Sequence, residues 1–133
     1  MCSYDGDAAD LWIELERTAR KPWICIECHA PIPVGVTYAC IKTLMDGRWH
    51  VDQAHKECMK LWRKVQKELC GNRGMIMLGG LDEELSQDYD AGGHNEYDFR
   101  LQKMVWKSTP SPAPYRRRLN AIRAKYLKMA AAD

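Results

Sequence analysis

No run of about 18 apolar residues occurs anywhere in the 133-residue chain, so a membrane-spanning helix is not expected. Met1 to Asp10 is acidic and lacks the basic-then-apolar order of a secretory signal, which makes cytoplasmic residence the expectation. Also missing are a glycine-rich phosphate loop, a Ser-His-Asp pattern and a paired-carboxylate helix. The expectation that follows is a protein without enzymatic activity. Between residues 82 and 98 there is no Lys or Arg against seven acids, which excludes a uniformly basic surface. Phenylalanine occurs once, against five tryptophans and six tyrosines. Large amphipathic rings are therefore available to face a partner as well as a core.

What is present is cysteine, six residues of it, in a distribution that disfavours a disulfide framework. Cys25 and Cys28 form one pair; 26 residues later His55 and Cys58 form another at the same three-residue step. Zinc takes four soft or borderline ligands in a tetrahedron, and two such pairs supply them with one local turn each. The set is closed. An ion held this way organises structure and is not a Lewis acid, contributing on the order of 10 kcal/mol to the folding of small modules. His50 competes with His55, but its five-residue spacing does not align it with Cys58 on a helix. Cys40 reads as a buried small hydrophobe, Cys70 as structural or incidental, and Cys2 stands apart. His94, among acids, has no second ligand at a diagnostic spacing.

Residue periods order the rest. Asp10 as a cap with Leu11, Trp12 and Leu15 predicts a short first helix ending before Pro22. From Trp23 a knuckle leads into a strand in which Val34, Val36, Tyr38 and Cys40 alternate. Asp46-Gly47 is a hairpin turn between Tyr38–Met45 and Arg48–Val51. Ala54 to Leu69 then repeats Cys58, Leu61, Trp62, Val65 and Leu69 as one helix face, stopped by Gly71, with His55 and Cys58 in its first turn. Met75 to Leu78, between glycines, fits a strand or a loop equally. Tyr97, Leu101, Met104 and Val105 predict a second helical segment ending near Lys107. Residues 108–114 form a Pro-rich linker, and Leu119, Ile122, Tyr126 and Met129 predict a terminal amphipathic helix. The expected division is 1–22 helical, 23–70 zinc-binding, 71–107 glycine-rich and acidic with a helix, and 108–133 linker and basic helix.

Cys25-Ile-Glu-Cys28, Ile32-Pro-Val-Gly35, Tyr38, Asp46-Gly47, Trp49 and His55-Lys-Glu-Cys58 together resemble the treble-clef zinc modules of the poly(ADP-ribose) polymerase type. More loosely they are similar to half of a LIM domain, and a similar arrangement is found in short phage and bacterial proteins. The resemblance spans residues 23–62. It implies a small α+β fold, a knuckle, a β-hairpin and a helix around one zinc, here with additional N- and C-terminal helices. It also implies Cys25, Cys28, His55 and Cys58 as ligands, and either DNA ends or proteins as partners.

Two functions stand nearly level, with nucleic-acid binding ahead and protein binding as the alternative. Nucleic-acid binding would use Lys56, Lys60, Arg63, Lys64 and Lys67 on the first long helix, with Arg116, Arg117, Arg118 and Lys125 on the last, neutralising DNA or RNA phosphates. Protein binding, as an adaptor or an inhibitor of a larger enzyme, would use tryptophans, Met75 to Leu78, the acidic segment or the apolar side of the final helix.

Overall fold

The computed structural model describes residues 11–70, 76–86, 93–108 and 111–132. Cys2, the Gly71 stop signal and Met75 lie outside them, as does the side chain of His94.

β1 (Leu11–Thr18) replaces the expected first helix. Leu11, Trp12 and Leu15 suit a helix face, but Leu11, Ile13 and Leu15 also alternate with Trp12, Glu14 and Glu16 at the period of a strand. A partner decides between the two readings: β1 pairs antiparallel along its whole length with β4 (Thr37–Met45), from Leu11 opposite Leu44 to Thr18 opposite Thr37. β4 pairs on its other side with β5 (Arg48–His55), giving the order β1-β4-β5. The turn between them has Asp46 at φ 51° and Gly47 at φ 75°. Positive φ at both central residues is the two-residue hairpin geometry in which the sequence Asp-Gly costs least.

β2 (Trp23–Ile24) and β3 (Pro31–Ile32) form a two-stranded ladder that brackets the knuckle. α1 (Lys56–Val65) follows β5 without a loop and continues into a π-helical turn, Gln66–Cys70. It buries Cys58, Met59, Leu61, Trp62 and Val65, the face its period indicates. Trp12 meets Trp62 with ring centroids 5.8 Å apart, while Glu14 pairs with Arg63 and Glu16 with Lys56. These contacts identify the side of the sheet on which α1 lies.

Ile76 and the short α2 (Leu81–Ser86) add Leu81 and Leu85 to the core. Residues 97–107 are not a helix either. β6 (Gly93–Asp98) and β7 (Lys103–Ser108) make a hairpin whose turn is set by the Asp98 carboxylate, which accepts the N–H groups of Arg100 and Leu101. A side chain that satisfies backbone donors locally competes with the helix that would otherwise use them.

α3 (Ala113–Ala131) begins inside the expected linker. Pro114 falls in its first turn, where the missing N–H has no helical acceptor to lose. Leu119, Ile122 and Tyr126 are buried against α1, α2 and β3. Most of the apolar stripe that suggested a docking helix is thus part of the protein's own core, with Met129 left exposed.

Candidate metal centre

Four side chains meet at the end of the sheet nearest the knuckle. Cys25 and Cys28 come from the loop between β2 and β3, His55 from the last residue of β5, and Cys58 from the first turn of α1. All four are fully buried, and their ligating atoms lie within 4.8 Å of one another. His55 is not helical: its φ −60°, ψ 144° are those of an N-cap, so the ligand step spans the strand-to-helix junction. Its side chain makes no cap hydrogen bond. The cluster occupies its ring instead.

The distances suit a small tetrahedral ion. Nδ1 of His55 lies 3.2 Å from Cys28 Sγ and 3.8 Å from Cys58 Sγ. Zinc–ligand bonds of about 2.0–2.3 Å imply tetrahedron edges of roughly 3.5–3.8 Å. The surroundings fit as well. Nε2–H of His55 donates to the Pro31 carbonyl at 2.9 Å, which places the proton on Nε2 and leaves the Nδ1 lone pair for a cation. The knuckle is shaped by His29, at φ 64°, whose N–H donates to the Cys25 carbonyl at 3.0 Å, and by Ile26 N–H, which donates to Gln53 of β5.

The electrostatics match. Contacts from Cys28 and Cys58 drive the Cys25 thiol down, whereas contacts from Cys25 and Cys28 drive that of Cys58 up. Burial works against a charged His55, but hydrogen bonds to Cys25 and Cys28 outweigh it and push its pKa up to about 10. The groups share protons that a divalent cation would displace. Three thiolates and one imidazole would complete its tetrahedron, leaving no position for water or substrate.

A second layer holds the ligands in place, and several of its residues carried no signal in the sequence. The ring of Tyr126 stacks on that of His55, with centroids 3.6 Å apart and planes 13° from parallel. Its hydroxyl donates to Glu57 at 2.7 Å, and Lys125 pairs with the same carboxylate. Arg123 donates from Nε to the Cys28 carbonyl at 2.8 Å and pairs with Asp82 of α2. Glu27, between the two knuckle cysteines, is fully buried and accepts the N–H groups of Gly79 (2.6 Å) and Leu81 (3.1 Å). Burial pushes its pKa up to about 7 in spite of those donors. Gly79 is at φ 87°, a backbone conformation that strains any side chain, and a Cβ there would stand 3.1 Å from Ile26 Cγ1, which would have to give way.

The basic residues are distributed differently from the cysteines. Lys56, Arg63 and Lys125 pair with Glu16, Glu14 and Glu57, and Arg116 donates to the Leu85 carbonyl. Lys60, Lys64, Lys67, Arg117 and Arg118 are exposed and have no ion-pair partner among the described residues. His50 is exposed on β5, away from the cluster, and Cys40 is a buried free thiol in β4.

The class that fold and site define is a small α+β domain whose Cys3His cluster, beside a hairpin and knuckle, is consistent with a zinc-binding module. Comparison with protein-family models, curated proteins and solved structures finds no match to this chain. Among the described residues no helix is long and apolar enough to cross a membrane.

Proposed function

We propose that the chain is a non-enzymatic protein-binding module of treble-clef type, in which one structural zinc holds the scaffold and the open side of the β1-β4-β5 sheet is the contact surface. One observation carries this reading. Leu11, Ile13 and Leu15 of β1 lie on the side opposite α1, with Leu44 of β4 and Trp49 and Val51 of β5 in register across it. Five of these six are between 39% and 53% exposed, and Leu44 is half-buried. Single exposed apolar residues are ordinary, but a contiguous row on one sheet face marks an interaction site. The closed ligand set supports a scaffolding role for the metal.

The test uses the zinc-loaded chain as bait in a nuclease-treated lysate of its own host, beside an Ile13→Ser/Trp49→Ser variant of equal zinc content. A protein retained by the first and lost from the second supports the reading, and retention that ignores the two substitutions contradicts it. Nucleic-acid binding is the second reading, favoured by Lys60, Lys64, Lys67, Arg117 and Arg118, which are exposed and without an ion-pair partner among the described residues. Its signature is retention that disappears with nuclease and falls steeply with salt.

A further inference from the structure

The exposed row of β1 does not end at Leu15, although Cys40 and Tyr38 beside it in β4 are buried. Continuing the alternation of β1, the next residue on that side is Arg17, which stands opposite Tyr38. There the sheet meets a cleft of about 770 Å³ lined by Arg17, Thr18, Arg20, Lys21, Trp23 and Tyr38. No acid lines it. None of its three cations has an ion-pair partner among the described residues, and the Lys21 ammonium rests 4.3 Å over the Trp23 ring.

The acids of the sheet share one side, which also carries Arg48. Glu14, Glu16 and Asp52 all lie on the α1 side, whereas the open side carries Arg17 and, between Ile13 and Val51, Lys42. The open side therefore presents an apolar row that runs into an uncompensated cationic cleft. Ile13 and Arg17 are four residues apart on one strand, hence about 13 Å.

We propose that the occupant of this face is an acidic-apolar peptide segment of the partner, its apolar side chains on Ile13, Leu15, Trp49 and Val51 and its carboxylates in the Arg17–Arg20–Lys21 cleft. The proposal rests on the protein-binding reading above and adds the chemistry of what is bound. Charge complementarity selects the acids, since three cations without counter-charges attract carboxylates and reject basic partners. The apolar row selects a peptide over a single-stranded nucleic acid. In that row Trp49 offers a single π face, whereas Leu11, Ile13, Leu15 and Val51 have neither a π face for base stacking nor polar groups for base edges.

The probe is a random peptide library selected on the zinc-loaded full chain, beside fluorescent twelve-nucleotide DNA and RNA oligonucleotides. Selected peptides should carry Asp or Glu beside an apolar run. Their affinity should fall about tenfold or more when Arg17→Glu, Arg20→Glu and Lys21→Glu are combined, and similarly when their own acids become amides. A milder Arg17→Gln/Arg20→Gln/Lys21→Gln protein, checked for zinc content and circular dichroism, keeps the comparison valid if charge reversal disturbs folding. Peptides that require Ile13 and Trp49 but ignore the cleft substitutions would overturn the inference while leaving the protein-binding reading in place. Failure to select any peptide would overturn the inference and leave the protein-binding reading to the lysate experiment, whereas oligonucleotide binding that depends on the cleft and on Ile13 and Trp49 would overturn both.

Discussion

His55 joins two jobs through its two ring nitrogens. Nδ1 faces three sulfur atoms while Nε2–H is tied to Pro31, and the ring plane is covered by Tyr126. Replacing an outer partner of a metal ligand commonly costs tenfold or more in metal affinity. Tyr126→Ala should therefore speed zinc transfer to a colorimetric chelator by about tenfold, whereas Tyr126→Phe, which keeps the stacked ring, should change it much less. Glu27 makes a separate prediction. Its carboxylate is the acceptor for two N–H groups that link the 76–81 segment to the knuckle. Glu27→Ala leaves those donors without it, so equilibrium urea unfolding of the zinc-loaded protein should show a loss of about 2–3 kcal/mol.

At the level of the element, α1 couples the sheet to the Cys3His cluster. Trp62 is almost fully buried against Trp12, yet its indole N–H has no hydrogen-bond partner among the described residues. Most of its worth is thus ring area. Trp62→Ala should cost about 3–5 kcal/mol in the same unfolding experiment. Trp62→Phe should cost under about 1 kcal/mol, because removing the unpaired donor offsets part of the lost contact. α3 is coupled to the site in the same sense: Ile122 is buried, so Ile122→Ala should lower stability by about 2–4 kcal/mol instead of leaving the fold untouched as a free docking helix would.

The elements also show what the sequence could and could not convey. The ligand pairs, the Asp46-Gly47 turn and the apolar face of α1 were legible because each depends on residues within a few positions of one another. β1 and the β6-β7 hairpin were misread for the opposite reason. Leu11 and Leu15 fit both periods, while Tyr97, Leu101 and Met104 are divided among two strands and the turn between them, and the choice is made by a partner strand or by the carboxylate of Asp98. The Tyr126–His55 stack joins residues far apart in the chain, and no local spacing announces it.

Over the whole molecule, charge and apolar surface are sorted around one cluster. The sheet directs its acids toward α1 and its apolar row outward, α3 closes over the ligands, and the basic residues of α1 and α3 are partly neutralised in place. All of this follows if a single ion fixes the junction of knuckle, strand and helix. Elemental analysis of the protein purified without added metal, coupled to circular dichroism before and after exhaustive chelation, tests that claim most directly. One zinc per chain is expected, with loss of folded structure on its removal and both metal and fold absent in Cys28→Ser. A chain that holds less than about a tenth of an equivalent of zinc and is nevertheless folded would contradict the account.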